Sequence, residues 1–173
     1  MELIKCSAGQ LAAVTALYHR TVNYLEENIN YPKWSAAHPS DEGMAQAVFA
    51  GEQYICTENG RVLGAVVLNQ DPEGFYEAGE WSRDLQPGRF LVIHALAVDP
   101  EHARQGVGRF MTEQCIALAE KGGFQALRLD VVPGNTPAER LYKNAGFTFA
   151  GTKDLRRNIA EVPVFDLYEL NLG

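Results

Sequence analysis

Gly106 and Gly108 stand two residues apart in Arg104-Gln105-Gly106-Val107-Gly108-Arg109, after an apolar run and at the head of a segment with helical spacing. The first turn of a helix leaves backbone N–H groups without partners and carries the positive end of the helix dipole. A glycine there has no Cβ, so a phosphate can come close to the main chain. Two glycines can also do no more than let a helix pack tightly on a strand, and the residues alone leave both readings open. Two other phosphate-binding patterns fit less well. An NTPase phosphate loop needs Lys-Ser/Thr where Arg109-Phe110 stand, and a dinucleotide fingerprint needs Gly or Ala where Met111 stands. Upstream, His94 is the polar side chain in the run Phe90-Leu91-Val92-Ile93-His94-Ala95-Leu96-Ala97-Val98. Histidine titrates near neutrality and its neutral form accepts a proton, although in such a strand it can equally be a satisfied core residue. Cys6, Cys56 and Cys115 lie far apart with no Cys-x-x-Cys or Cys/His ligand spacing, which predicts reduced core thiols and no metal.

These groups need elements to hold them. Residues 90–98 have the composition of a strand covered on both faces, ended by Asp99-Pro100. Val107, Phe110, Met111, Cys115 and Leu118 recur at helical spacing until Gly122-Gly123. Residues 125–132 alternate as a strand, so strand, helix and strand form a right-handed crossover with a parallel pair. Asn135-Thr136-Pro137 opens a further helix whose face carries Ala138, Leu141, Tyr142 and Ala145, closed at Gly146.

Toward the N-terminus, residues 2–6 read as a strand. Ser7-x-x-Gln10 is a capping box for a helix with Leu11, Val14, Leu17, Tyr18, Thr21, Val22 and Leu25 on one face. Residues 28–39 lose periodicity and form an aromatic, proline-stiffened loop with Tyr31 and Trp34, either a substrate wall or a cover over the core. Ser40 caps a short helix that Gly51 ends. Residues 54–57 and 61–68 form a hairpin through Asn59-Gly60, and Gly64 suggests a bulge. Residues 69–89 are irregular and hold Phe75, Tyr76, Glu80 and Trp81. Residues 147–151 and 162–170 supply two strands, joined by 154–160, and 162–170 could offer an exposed edge for a homodimer. The sum is seven strands and four helices in one α/β domain over residues 1–173, with mixed sheet directions.

Composition narrows the function. The net charge of −7 argues against general nucleic-acid binding, which needs Lys and Arg to neutralise phosphates. Between residues 20 and 100 acidic side chains outnumber basic ones, either as a solvated surface or as a field that draws a cationic amine. No stretch reaches 18 uninterrupted apolar residues and residues 1–7 are too short and polar for a signal peptide, so a cytoplasmic, membrane-free protein is expected.

Leu96-Ala97-Val98-Asp99-Pro100 with Arg104-Gln105-Gly106-Val107-Gly108 resembles motif A of the GCN5-related N-acetyltransferase (GNAT) superfamily, Gln/Arg-x-x-Gly-x-Gly/Ala. The first pattern position falls on Ala103, with Arg104 one residue late. Asn135-x-x-Ala138-x-x-Leu141-Tyr142-x-x-x-Gly146-Phe147 is similar to motif B. The resemblance implies the GNAT fold, a mixed six- or seven-stranded sheet splayed between two central parallel strands, and acetyl-CoA as co-substrate of an N-acetyltransferase. It implies that amides of Arg104, Gln105, Gly106, Val107, Gly108 and Arg109 cradle the pyrophosphate. Backbone of Leu96, Ala97 and Val98 would bind the pantetheine or stabilise the oxyanion, and Asn135 and Ala138 would line the other side.

It also implies roles for three side chains. Tyr142 would protonate or hydrogen-bond the departing thiolate, where periodicity alone makes it an aromatic filling an apolar face. Ile93-His94-Ala95-Leu96-Ala97-Val98 resembles the arylalkylamine N-acetyltransferase branch, which would put His94 on the proton path. Glu80 is a reserve base or an anchor for a cationic substrate. Tyr31, Trp34, Glu80 and Trp81 would surround a compact primary amine. A protein N-terminus or lysine is the alternative acceptor, and a non-catalytic acetyl-CoA-binding module is the reading outside catalysis.

Overall fold

The computed structural model describes residues 1–159 and 161–173. Ala160, at the end of the expected connecting segment 154–160, lies outside the described residues. The strands are β1 (Glu2–Lys5), β2 (Gln53–Glu58), β3 (Arg61–Asn69), β4 (Phe90–Val98), β5 (Ala126–Val131), β6 (Thr148–Lys153) and β7 (Phe165–Asn171). The α-helices are α1 (Leu11–Glu27), α2 (Asp41–Ala50), α3 (Val107–Lys121) and α4 (Thr136–Asn144). The strands hydrogen-bond in the order β1-β2-β3-β4-β5-β7-β6. The chain forms two compact units. Met1–Asn30, Trp34–Leu68 and His94–Gln114 make one, and Tyr31–Lys33, Asn69–Ile93 and Cys115–Gly173 make the other, so β4 and α3 each contribute to both. No described helix is long and apolar enough to cross a membrane.

In the first unit, the Gln10 side chain accepts from the Ser7 amide at 2.9 Å. Between them lies a 3-10 turn, Ala8–Gln10, so the α-helix itself starts at Leu11. The stripe Val14, Leu17, Tyr18 of α1 packs with Met44 and Val48 of α2 and with Ile55, Ala65 and Ala97 of the strands. Ser40 caps α2 by accepting from Gly43 N–H at 3.1 Å, and Gly51 leaves it at φ 72°. Asn59 and Gly60 both take positive φ, as a tight hairpin turn demands. Cys56 faces Gly64 while Thr57 faces Val62, so Leu63 is the extra residue of a bulge. Gly64 is needed for a second reason. A Cβ there would sit 2.8 Å from the Ala97 carbonyl oxygen and 2.5 Å from Met111 Sδ.

In the second unit, β4 and β5 run parallel, with Phe90, Leu91 and Val92 opposite Ala126, Leu127 and Arg128. The antiparallel pairs β5·β7 and β7·β6 follow. The expected exposed edge at residues 162–170 is therefore wrong: β7 has a partner on each side, and β6 is the outer strand. A C-terminal strand that inserts between two others leaves no mark in its own composition. Within the irregular segment 69–89 a 3-10 turn forms at Tyr76–Ala78. The core here gathers Tyr76, Phe90, Val92, Ala126, Leu155, Phe165 and Leu167, with Trp81 packed against it.

Candidate active site

In the first unit β4 departs from regular strand geometry at one residue. Ala95 takes φ +48°, a left-handed value that costs an L-residue roughly 1–2 kcal/mol. A left-handed residue inside a strand marks a bulge, where backbone groups drop out of the ladder. The Ala95 carbonyl accepts from the Tyr18 hydroxyl at 2.7 Å. His94, Leu96 and Val98 are half-buried, whereas Ala97 turns its methyl into the core.

The strand ends at Asp99, whose carboxylate accepts from Glu101 N–H at 3.1 Å and so caps the 3-10 turn Pro100–His102. That carboxylate is buried and paired with Arg20 of α1 at 2.5 Å. Arg104 (φ 62°) and Gly106 (φ 83°) are both left-handed, and Gln105 between them donates to the Glu101 carbonyl at 3.2 Å. Residues 103–106 are exposed, and a Cβ built on Gly106 meets nothing within 4 Å. The helix begins at Val107. Arg109 is exposed and paired with Glu113 at 2.7 Å one turn on.

The second unit carries the other expected groups. Asn135 is the N-cap of α4, its Oδ1 accepting from Ala138 N–H at 3.3 Å, which leaves the amide nitrogen as a donor. Tyr142 is buried, its ring edge-on to Phe147 at 5.5 Å. Burial, then Cys115 and Asp130, hold its phenol well above the usual value, so it keeps its proton. Burial likewise pushes the Cys115 thiol up to about 12, which makes it a poor nucleophile. Glu80 is exposed and paired with Lys153 at 2.6 Å. Trp81 donates from Nε1 to the Tyr76 carbonyl at 2.6 Å. Tyr31 is half-buried in this unit, and Trp34 belongs to the first, where its amide and carbonyl are both held by the Asn30 side chain.

Residues 16–147 match the model of the Acetyltransferase (GNAT) family. The chain belongs to that family. GNAT enzymes use acetyl-CoA, and acetyl transfer is the activity of the class. A 67-residue stretch is 43% identical to the ribosomal protein bS18 alanine N-acetyltransferase of Escherichia coli K12, covering 39% of this chain and 43% of that protein. The matched stretch thus spans less than half of the curated relative. Among solved structures, a GNAT acetyltransferase from Listeria monocytogenes aligns over 99% of this chain and 94% of its own, with TM-score 0.78 and 20% identity. An acetyltransferase from Salmonella typhimurium, crystallised with its cofactor acetyl-CoA, covers 99% and 94% with TM-score 0.70 and 17% identity. At these identities the structures speak for the shared GNAT fold.

Several residues around the candidate groups carry no signal in the sequence. Arg128 and Glu169 are buried charges in the second unit, with Arg128 Nε 3.9 Å from Glu169 Oε2. The Arg128 guanidinium lies between the Trp81 ring (4.2 Å) and the Phe90 ring (4.3 Å) and donates to the Arg83 carbonyl at 2.9 Å. Glu169 accepts from Ser82 N–H at 2.5 Å. The pair thus clasps the segment bearing Glu80 and Trp81. Asp130 takes two bonds from Arg157 at 2.7 Å and one from Tyr76 at 2.6 Å. Strand alternation puts Arg128 and Asp130 on one face, but their partners come from remote segments that no local pattern announces.

Proposed function

We propose that this GNAT protein is an acetyl-CoA-dependent N-acetyltransferase that moves the acetyl group directly to a primary amine of a small molecule. It would act as a single domain over residues 1–173, in the cytoplasm. The observation that carries the reading is the exposed turn at Arg104–Gly106 before α3, where Arg104 and Gly106 both take left-handed φ and the space over Gly106 is open. That turn fits the diphosphate of the carrier, with amides of Gln105, Gly106, Val107, Gly108 and Arg109 as its cradle. Backbone of Leu96 and Val98 would hold the pantetheine arm, and the Asn135 amide nitrogen would donate to it.

Acetyl-CoA supplies the acetyl group as a thioester. A C–N bond forms as the C–S bond breaks: the acceptor, arriving as an ammonium, loses one proton before it attacks and a second as the amide forms, and the thiolate leaves with the electron pair. His94 takes the amine proton, with Glu80 in reserve. A backbone N–H near Leu96 or Ala97 meets the developing oxyanion. Tyr142 donates a hydrogen bond to the departing sulfur. Trp34 and Trp81, each fixed by hydrogen bonds, wall the acceptor together with Tyr31, and Glu80 draws its positive charge. The buried thiols support transfer without an acyl-enzyme.

A second reading has its own support: the 43% identical stretch belongs to an enzyme named for a ribosomal protein's alanine. Thiol release from acetyl-CoA, measured against a panel of small amines and of peptides with free N-termini, separates the two. Turnover on small amines is expected. Faster turnover on peptides moves the acceptor to proteins, and tight acetyl-CoA binding without release over the whole panel makes the chain a binding module.

A further inference from the structure

Ala95 is not glycine, yet it holds φ +48° inside β4. An alanine keeps that conformation only where the surroundings over-determine it. The group that does so is visible. Tyr18 on α1 is fully buried, and its hydroxyl donates to the Ala95 carbonyl at 2.7 Å. Its ring is fixed from the side by Trp34, at 6.1 Å between centroids. Gln53 Nε2, also buried, points at the same hydroxyl at 3.4 Å while donating to the Val66 carbonyl at 3.1 Å. Burial holds the Tyr18 phenol well above its usual pKa, so it stays a donor.

We infer that Tyr18 is a positioning residue for acetyl transfer: its hydroxyl locks Ala95 in the left-handed state, and so sets the direction of His94 on one side and of the Leu96 backbone on the other. The inference rests on the reading above, in which those two neighbours face the reacting groups. Without the lock, residue 95 relaxes toward regular strand geometry. A strand that shifts by one residue's twist turns each following N–H and side chain to the other face. Ala97, whose carbonyl approaches Gly64 closely, fixes the strand two residues further on, so the rearrangement is confined to residues 94–96.

Tyr18→Phe removes only the hydroxyl and keeps the packed ring. Ala95→Gly in the same chain lets residue 95 remain left-handed without help. Amide hydrogen exchange over residues 94–97 and steady-state kinetics are measured on wild type, Tyr18→Phe, Ala95→Gly and the double variant. Tyr18→Phe is expected to speed exchange and lower kcat by about tenfold each, equivalent to about 1.4 kcal/mol, with the amine KM unchanged. The double variant is expected to recover most of both losses. Exchange and kcat within about twofold of wild type in Tyr18→Phe, or a double variant worse than Tyr18→Phe, would overturn the lock. The exchange arm does not need turnover: if wild type releases no thiol, exchange still decides the lock while the transfer reading fails separately. Should Tyr18→Phe misfold, Ala95→Gly alone decides, because a strained alanine predicts a melting temperature no lower than wild type and an unstrained one predicts a drop.

Discussion

Removing the Tyr142 hydroxyl tests how the leaving thiolate is handled. Tyr142→Phe keeps a ring that is 6% exposed and edge-on to Phe147, so the fold loses little. A full proton transfer from phenol to thiolate is unfavourable at the outset. An ordinary phenol near 10 and thiol near 8.5 differ by about 1.5 units, roughly 2 kcal/mol uphill. Burial, with Cys115 and Asp130 adding to it, raises the Tyr142 phenol further and widens the gap. On the proposed reading the hydroxyl would therefore act as a hydrogen-bond donor to a charged sulfur, an interaction of about 1.5–3 kcal/mol. At about 1.4 kcal/mol per decade, kcat should fall between about tenfold and 150-fold. Acetyl-CoA affinity, measured by calorimetry, should stay near wild type, because the ground-state thioester sulfur is a weak acceptor. The loss should also shrink for acyl donors whose thiol is more acidic, since their thiolate needs less help. An unchanged kcat, or a loss confined to acetyl-CoA affinity, refutes the donor role and returns Tyr142 to the core.

Gly106→Ala puts an L-residue at φ 83° with no steric neighbour, so its cost is backbone strain of about 1–2 kcal/mol, and the KM for acetyl-CoA should rise about five- to thirtyfold with kcat little changed. His94→Ala should abolish the rise of kcat/KM with pH; an unaltered profile assigns His94 to packing. Tyr18, Tyr76 and Tyr142 are all buried with phenols held above their usual value. Below about pH 10 both folded and unfolded chains keep these protons. Above it only the unfolded chain releases them, so stability should fall by up to about 1.4 kcal/mol per tyrosine per pH unit, seen as phenolate absorbance appearing together with unfolding. Arg128→Met strands the buried Glu169 carboxylate and should cost about 3–5 kcal/mol, or about 6–20 °C in melting temperature, whereas Arg128→Met with Glu169→Gln should recover most of it.

What the sequence disclosed follows the range of the interaction that fixes each feature. Helix α2 was legible to the residue, because Ser40 and Gly51 bound it through contacts within one turn. The hairpin at Asn59-Gly60 was legible for the same reason, and so was β4, whose nine residues carry their burial in their own composition. The start of α3 is legible too, since the helical spacing begins at Val107 where the helix does, whereas the left-handed backbone of Arg104 just before it leaves no mark in that periodicity. The place of β7 between β5 and β6 is not legible because strand order depends on partners outside any local window, such as Leu127 opposite Leu170 and Thr148 opposite Glu169. Tyr18 was legible as a buried helix residue and silent as a hydroxyl donor, since its acceptor lies 77 residues on.

Three left-handed residues, Ala95, Arg104 and Gly106, fall within the stretch that carries β4 into α3, and only one is a glycine. An L-residue there must be held, and the holders come from α1. Tyr18 takes the Ala95 carbonyl, and Arg20 pairs with the buried Asp99 that caps the turn before Arg104. A helix far away in sequence thus contacts both ends of the stretch that carries the GNAT motif, while the motif itself supplies glycine at the left-handed position next to α3. Motif residues and scaffold residues should therefore fail differently. Gly106 variants should disturb acetyl-CoA affinity, whereas Tyr18 variants should disturb turnover.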